Sequence, residues 1–324
     1  MDRAGWFALA GGIGLFLYGL QLMAEGMETA AAGPLRGAVA RLVCSVPRGI
    51  LVGAALTGVV QSSAAVTLLA IGLAGSGLIP LAGAAGVVMG ANIGTTVTAQ
   101  LLRFSGNGGS AAGPALLAQA ACFAGAGLLL FCKKGPWRAA GQAVLGFGLL
   151  FSGLGVVRQA AAPLGQSPAF LRLLSGLRHP LPGVAAGALS SMLLQSSSAA
   201  VGLLQALAGT GAVRWGLAVP VVLGQNLGAC ATPLLAARAG GSPAGLQCAR
   251  FHLLFNLLGG GICLGLLGLA SLLGLDAALQ APAGPGGIAD FHTLFNLGTT
   301  LLLAPFTGRL LALTAPGGLR RAET

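Results

Sequence analysis

Two short polar segments stand out in an apolar chain because their residue types could bind ions. Gln61-Ser62-Ser63 recurs as Gln195-Ser196-Ser197-Ser198, and Gly90-Ala91-Asn92-Ile93-Gly94 recurs as Gly224-Gln225-Asn226-Leu227-Gly228. Hydroxyl and amide oxygens suit a hard cation such as Na⁺ and offer no site for a zinc-like metal. Serine- and glycine-rich helix breaks also expose helix N-termini, whose free N–H groups attract anions. The segments therefore predict binding of a cation and of an anion.

These segments contain no acidic residue, and no Asp or Glu lies anywhere between Thr29 and Leu275. Nothing near them would therefore repel a bound anion. Proton-coupled carriers usually depend on intramembrane carboxylates or histidines, and neither polar segment contains one. Hydrogen bonding between neighbouring helices is the alternative use of such residues, but two copies of the same cluster favour binding.

The recurrence extends well beyond the polar segments. When the chain is shifted by 134 residues, which places Gln61 on Gln195, 16 of the 38 positions from 61 to 98 are identical without a gap. Chance matching of Ala, Leu and Gly does not explain the shared polar residues. Internal duplication on this scale is typical of secondary transporters, whose sites lie where the repeats meet.

The composition places the chain in a lipid bilayer. Charged residues make up 7% of the sequence, against roughly 25% in soluble proteins, while hydrophobic residues make up 55% and the mean hydropathy is +0.88. So little polar surface excludes soluble enzymes and nucleic-acid-binding proteins, despite a net charge of +11. We expect an all-α polytopic membrane protein, with a first helix that is retained rather than cleaved. The runs long enough to span are 5–24, 50–76, 78–102, 115–132, 139–157, 183–208, 213–237, 249–273 and 288–310, with short interfacial helices at 33–48 and 164–180.

The relative orientation of the repeats depends on how 50–76 and 183–208 cross the membrane. Re-entrant hairpins there give three crossings per repeat and an inverted second repeat, whereas full crossings give four and parallel repeats. The hairpin arrangement places 11 of the 17 basic residues in the cytoplasm and the other places 12. The positive-inside rule therefore leaves both open, and puts the C-terminus in the cytoplasm in either case.

A second motif recurs late in the chain, as Phe251-His252-Leu253-Leu254-Phe255-Asn256 and Phe291-His292-Thr293-Leu294-Phe295-Asn296. Residues four apart share a helix face, so each His lies beside its Asn. We interpret the two pairs as packed side chains that brace helices, with a ligand role for the histidines as the alternative.

The doubled Gln-Ser-Ser, the Gly-x-Asn-Ile-Gly-Thr-Thr segment and the downstream His-x-x-Phe-Asn resemble the type II sodium–phosphate cotransporters and their bacterial relatives. The likeness runs from Gly14 to Phe306. It implies two inverted repeats, each with a re-entrant hairpin, that meet to bind phosphate and sodium. The implied segments are repeat 1 at 1–132 (hairpin about 50–76), repeat 2 at 139–273 (hairpin about 183–208), an extra C-terminal helix at 288–310 and a short cytoplasmic tail at 311–324.

Carried over position by position, the resemblance implies a set of ligands. Phosphate would be bound by Gln61, Ser62, Ser63, Gln195, Ser196 and Ser197, and sodium by Ser198, Asn92, Thr95, Thr96 and Asn226, with His252, Asn256, His292 and Asn296 in support. Two departures each remove a hydroxyl: Ala64 stands where a third Ser is usual, and Ala229-Cys230 replaces the second Thr-Thr. We therefore expect an equivalent sodium site in repeat 2 to be weak or absent. A PhoU-like cytoplasmic domain, carried by many bacterial relatives, is not expected here.

The resulting expectation is a sodium-coupled carrier of inorganic phosphate in the inner or plasma membrane, working by alternating access, with Na⁺ as coupling ion and no other cofactor. A phosphate exporter and a carrier of another small oxyanion remain open as alternatives. An intramembrane serine hydrolase is the alternative of another class, but it needs a Ser–His pair and an oxyanion hole, and the sequence has no nucleophile motif. Expected partners are phosphate, sodium and lipid, with a homodimer as a possibility and no nucleic acid.

Overall fold

The computed structural model of the chain describes residues 2–103, 113–176, 180–274 and 276–315, and this part is built from helices. An isolated bridge between Arg214 and Pro282 is the β pairing present there. The first half contains α1 (Arg3–Leu42), α2 (Val46–Val60), α3 (Ser63–Gly75), α4 (Leu81–Arg103) and α5 (Gly113–Phe131). The rest contains α6 (Pro136–Ala161), α7 (Pro168–Gly176), α8 (Pro180–Leu194), α9 (Ser197–Ala208), α10 (Trp215–Gly228), α11 (Ala231–Ala239), α12 (Pro243–Leu272), α13 (Asp276–Gln280), α14 (Pro285–Leu303) and α15 (Thr307–Thr314).

Helix boundaries follow the 134-residue offset closely. Both ends of α2 map onto both ends of α8, since 46 and 60 become 180 and 194, and the start of α3 maps onto the start of α9. The repeats differ after their first helix. We expected a separate interfacial helix at 33–48, but α1 continues without a break to Leu42, because the alanines at 30–32 are strong helix formers. In the second repeat Pro163 opens a 3₁₀ turn, Ala162–Gln166, before the separate helix α7.

Six helical segments of the described chain are long and apolar enough to cross a bilayer, so the protein is a multi-pass membrane protein. They are Arg3–Ala30, Leu81–Arg103, Pro136–Gln166, Trp215–Ala239, Pro243–Leu272 and Pro285–Thr314. The expected span at 115–132 corresponds to α5, of which the apolar part Ala115–Phe131 is slightly shorter than these six.

The segments predicted as hairpins each form two short helices with a turn between them. The 15 residues of α2 and the 13 of α3 reach only about 22 and 20 Å at 1.5 Å per residue, against a hydrocarbon core of about 30 Å. Neither can span alone. The same holds for α8 and α9, with 15 and 12 residues.

Glycine contacts between α2 and α4 establish that the chain reverses at the first of these turns. A Cβ on Gly53 would lie 2.2 Å from the Val87 carbonyl oxygen, and one on Gly90 would lie 2.1 Å from the Ile50 oxygen. Further along, Gly94 meets Ala54 and Thr57. Residues later in α2 thus contact residues later in α4, so the two helices are parallel. The chain must therefore reverse its direction twice between them. Those reversals are at Gln61 and at 76–80, and they make α2–α3 a hairpin.

The first helices of the two repeats pack against each other with their backbones in contact. Along α1, Gly12 meets Val156, Gly19 meets Leu150 and Gly26 meets Ala143 of α6. The partner numbers fall as the α1 numbers rise, so α1 and α6 are antiparallel. Small residues at helix contacts permit such close approach in membrane proteins. The first helices of the two repeats therefore run in opposite directions.

Hydrogen bonds attach the base of the second hairpin to neighbouring helices. The buried Gln205 of α9 donates from its amide nitrogen to the carbonyl oxygens of Ala99 (3.0 Å) and Pro285 (2.9 Å). Nearby, Arg103 of α4 forms a 2.7 Å ion pair with Asp290 of α14. These contacts join α9, α4 and α14 at one end, so the hairpin tip at the other end is held at a defined position.

Candidate functional site

Each Gln-Ser-Ser segment forms the tip of a hairpin and begins its second helix. Ser62 is the N-cap of α3, where its hydroxyl accepts a 3.2 Å hydrogen bond from the Ala65 amide. Ser196 caps α9 in the same way, accepting from the Ala199 amide at 3.1 Å. N-cap serines satisfy one of the free N–H groups at a helix start. Both tips are therefore built alike.

The glutamines at the two tips have left-handed backbone conformations. Gln61 has φ 60° and Gln195 has φ 52°, and they are the only described non-glycine residues with positive φ. This region is costly for side chains other than glycine and clusters at functional sites. The turn therefore keeps a carboxamide where glycine would be easier to accommodate.

The two hairpin tips line a single cavity of about 550 Å³. A water molecule takes about 30 Å³ of liquid, so the space holds a small ion with several waters. One wall is formed by α1 through Leu17, Leu20, Gln21 and Ala24. The remaining lining residues are Gln61, Ser62, Ser63, Ala64, Ser191, Leu193, Leu194, Gln195, Ser196, Ser197, Ser198, Ala199, Gly228, Ala229 and Thr232.

The cavity is suited to an anion by its donors rather than by a charged side chain. Two helix N-termini open into it, those of α3 and α9, each with unsatisfied N–H groups and the positive end of a helix dipole. The capping hydroxyls accept through oxygen and keep their hydrogens to donate to a ligand. None of the described residues lining the cavity is charged. The Glu25 carboxylate, which is not part of the lining, accepts a 2.8 Å hydrogen bond from the lining residue Gln21.

The two glutamines differ in their contacts despite their equivalent positions. The Gln61 side chain is buried, accepts a 2.6 Å hydrogen bond from the Thr98 hydroxyl and donates to the Gly58 carbonyl at 2.5 Å. Gln195 is exposed, and its carboxamide makes no hydrogen bond to the described residues. Its equivalent partner Thr232 lines the cavity instead. The glutamine–threonine hydrogen bond is therefore formed in repeat 1 and absent from its equivalent position in the described part of repeat 2.

A helix break accompanies the open arrangement. Helix α4 runs continuously through Gly94, whereas the second copy ends α10 at Gly228 and restarts as α11 at Ala231. Pro233 lacks the N–H that would bond to the Ala229 carbonyl, so the helical ladder is interrupted there. The equivalent position in repeat 1 is Ala99. The cavity extends into this break, where the buried Ser191 hydroxyl has no hydrogen-bond partner in the described structure.

The asparagines predicted as sodium ligands lie outside the cavity lining, each paired with a histidine. The His252 Nε2 of α12 is 3.4 Å from the Asn92 Oδ1 of α4, and the His292 Nε2 of α14 is 3.1 Å from the Asn226 Oδ1 of α10. Both pairs are buried. Because Asn92 and Asn226 are repeat equivalents, α12 and α14 take matching places beside α4 and α10.

The other members of these clusters also bond within the protein. Asn256 donates to the His252 carbonyl at 3.0 Å, and Asn296 donates to the His292 carbonyl at 2.8 Å. A further 3.0 Å bond runs from the Asn226 amide to the Asn296 Oδ1. The clusters therefore join α12 to α4 and α14 to α10, and the bracing role of the two His–Asn pairs stays a prediction.

Of the remaining predicted sodium ligands, two form hydrogen bonds within α4 and one lines the cavity. The Thr95 hydroxyl donates to the Ala91 carbonyl and that of Thr96 to the Ile93 carbonyl, both within α4. Neither lines the cavity, whereas Ser198 does. All six predicted phosphate ligands, Gln61, Ser62, Ser63, Gln195, Ser196 and Ser197, line the cavity together.

Sequence reasoning did not select Ser191, Thr98 and Thr232 as site residues. A signal for them was available, because Thr98 and Thr232 are identical at the 134-residue offset and Ser191 falls on the hydroxyl of Thr57. Gln21 gave no such signal, since its repeat equivalent is Gly155. Its place on the cavity wall follows only from the packing of α1.

Comparison with known proteins agrees with the motifs. YqeW of Bacillus subtilis, whose name assigns no activity, is 27% identical over 305 residues, which cover 93% of this chain and 95% of YqeW. YjbB of Escherichia coli K12, named as a candidate inorganic phosphate export protein, is 29% identical over 300 residues, and YjbB of Salmonella typhimurium over 299. These regions cover 92% of this chain and 53% of each YjbB, so the chain spans about half the length of the YjbB proteins. No solved structure is significantly similar. Residues 15–159 and 166–273 match the sequence profile of the Na⁺/Pi-cotransporter family, and the chain therefore belongs to that family.

Proposed function

We propose that this protein is a sodium-coupled carrier of inorganic phosphate that works by alternating access. The observation that carries the proposal is the convergence of two serine-capped helix N-termini, Ser62 on α3 and Ser196 on α9, on one cavity without a charged lining residue. Phosphate would be bound by serine hydroxyls and backbone N–H groups from both repeats. Family membership and the phosphate named for YjbB support phosphate as the substrate.

Sodium is proposed to bind on the repeat 2 side of the same cavity. Ser191 and Ser198 offer hydroxyl oxygens there, and the Ser191 hydroxyl is buried without a described partner. Neutral oxygens are suitable ligands for a hard cation. The expected ligands Asn92, Thr95 and Thr96 do not line the cavity, which is why we place the proposed site on its repeat 2 side instead. The family name supports sodium as the coupling ion.

The repeats are proposed to be inverted across the inner or plasma membrane, with the N-terminus outside and the C-terminus in the cytoplasm. Antiparallel packing of α1 against α6 supports this, since the two helices open equivalent repeats. For α1 and α6 to cross in opposite directions, the chain must cross the membrane an odd number of times from the start of α1 to the start of α6. When α2–α3 is a hairpin, the three crossings are α1, α4 and α5. Inverted repeats that share one midplane site are a common basis of alternating access.

Export rather than uptake is the second candidate direction, and the name of YjbB favours it. The site itself would be the same, because the direction of net transport depends on the gradients that are coupled.

The hydrolase alternative gains no support from the geometry. His252 and His292 are bonded to asparagines, and neither histidine lines the cavity that contains the serines. A serine nucleophile would need a base within hydrogen-bond reach.

Radiolabelled phosphate flux in proteoliposomes tests the proposal. Flux should depend on an imposed sodium gradient. Other oxyanions should reduce the flux only if they bind at the same site as phosphate. Ser62→Ala and Ser196→Ala should each weaken phosphate binding by about 10- to 150-fold, because a hydrogen bond to a charged ligand contributes about 1.5–3 kcal/mol.

Ser76→Ala is the matched control, because Ser76 lies at the opposite end of α3 and bonds only to carbonyls of that helix. It should transport normally. Wild-type flux in both tip variants, with normal insertion, would mean that the serines serve packing and that the site is wrong. Flux that is unaffected by sodium would reject the coupling alone.

A further inference from the structure

The repeats differ most clearly at one pair of equivalent contacts. Gln61 and Thr98 are hydrogen-bonded in repeat 1, whereas Gln195 and Thr232, their counterparts 134 residues later, make no hydrogen bond to each other in repeat 2. We call the Gln61–Thr98 pair latch 1 and the Gln195–Thr232 pair latch 2. The side chains are identical, so the difference lies in conformation and not in bonding capacity.

The lining of the cavity has the same asymmetry. Ser191, Gly228, Ala229 and Thr232 of repeat 2 all line it, while their equivalents in repeat 1, which are Thr57, Gly94, Thr95 and Thr98, do not. On the wall, α1 contributes four residues and its equivalent α6 contributes none of the described lining. The closed latch therefore belongs to the repeat whose α2 and α4 stay out of the lining, and the open latch to the repeat whose α8, α10 and α11 contribute to it.

From this we infer that the two glutamine–threonine latches close in alternation, and that Thr98 and Thr232 are positioning residues that set the direction in which the cavity opens. The inference rests on the proposed alternating access. In the structure latch 1 is closed and the cavity opens beside α1. In the opposite state latch 2 closes, latch 1 opens, and the cavity opens beside α6.

The contacts of Gln61 indicate how a latch would work. Its closed form buries a left-handed glutamine, with the carboxamide fixed between Thr98 and the Gly58 carbonyl. This joins the hairpin tip to α4, which is parallel to α2 and in backbone contact with it. When the bond is open, the tip is free of the spanning helix, as in repeat 2, where Gln195 lines the cavity without a hydrogen bond to the described residues. If both latches closed together, the shared cavity would be occluded from both sides of the membrane. Only one repeat can therefore be closed while the cavity is accessible.

Hydrogen bonds between membrane helices are weak enough to exchange. Their average strength corresponds to a factor of about 3 in an equilibrium and the strongest to about 20. Removing one latch should therefore shift the balance between the two states by about 3- to 20-fold without unfolding the protein.

The reporter for the test is Ala24→Cys in a variant whose six native cysteines are replaced by serine or alanine. Ala24 lies on the α1 wall of the cavity, so the rate of its alkylation by a water-soluble maleimide measures the fraction of molecules open beside α1. Thr98→Val removes the hydroxyl of latch 1 and should lower this rate. Thr232→Val removes that of latch 2 and should raise it. Thr98→Ser and Thr232→Ser keep the hydroxyl and should restore the rates.

Opposite shifts in the two valine variants are the expected result. Shifts in the same direction, or no shift, would overturn the inference, because a purely structural role affects both alike. An effect of Thr98→Val alone would also overturn it, since repeat 2 would then be held open permanently by Pro233. Thr232 is half-buried and has no hydrogen bond to lose in the described structure, so its variant keeps the test valid if Thr98→Val fails to fold. The labelling requires no phosphate, so its failure is distinct from failure of the proposed substrate.

Discussion

The close packing of α1 against α6 makes a quantitative prediction about Gly19. A Cβ at this position would lie 2.3 Å from the Leu150 backbone nitrogen, whereas ordinary contacts begin at 3.4 Å. The difference, 3.4 minus 2.3, requires the helices to separate by about 1.1 Å. Such overpacking typically costs about 1–3 kcal/mol. Gly19→Ala should therefore lower stability, and it should also reduce transport because α1 forms a wall of the cavity.

Gly14→Ala is the matched control on the same helix, since nothing lies within 4 Å of its added Cβ. Both changes gain the same helix propensity, about 0.5–1 kcal/mol, so the difference between the variants isolates the packing cost. We expect Gly14→Ala to melt at or above the wild-type temperature in detergent and Gly19→Ala to melt below it. Equal melting temperatures and equal phosphate flux would show that α1 and α6 are not in backbone contact, and would remove the main support for inverted repeats.

Three further predictions address topology, sodium and the buried clusters. A cysteine at Lys134, in a background without native cysteines, should be labelled from the cytoplasmic side, and labelling from outside only would reject the inversion. Ser191→Ala should raise the sodium concentration for half-maximal transport while Thr95→Ala leaves it unchanged, and the reverse pattern would return the cation to repeat 1. His292→Leu should destabilise the protein by about 1–3 kcal/mol because the buried Asn226 oxygen loses its partner. His292→Gln keeps a hydrogen-bond donor, so thermal unfolding should show a smaller loss of stability than for His292→Leu. An equal loss of stability in the two variants would argue against the hydrogen bond.

Much of the architecture was predictable because duplication leaves its trace in sequence. The 134-residue offset placed both Gln-Ser-Ser segments at equivalent points, and the structure shows them as equivalent hairpin tips with the same N-cap. Apolar run lengths identified the six spanning helices, since the bilayer imposes a minimum length, but they also marked 50–76 and 183–208, each of which forms two short helices. The expected phosphate ligands also line one cavity, because residues at repeat-equivalent positions meet where the repeats meet.

What the sequence did not reveal depends on contacts between distant segments. Asn92 looked like a ligand by residue type, but its oxygen faces His252, 160 residues away. The equivalence of α12 and α14 beside α4 and α10 follows from packing, as it falls outside the 134-residue offset. Charge counting could not distinguish the two topologies, whereas glycine contacts along α1 and α6 give their relative direction directly. The different states of Gln61 and Gln195 are likewise conformational and leave no mark in two identical motifs.

The left-handed glutamines have a consequence for anyone who engineers this protein. Glycine adopts positive φ without the penalty that a side chain incurs, so Gln61→Gly and Gln195→Gly would relieve backbone strain at both tips. Stabilisation protocols that favour residues by backbone preference would therefore choose these replacements early. Each would also delete a carboxamide from the wall of the cavity. A library of this protein selected for heat resistance alone should accordingly accumulate robust but inactive members, with glycine at the two tips.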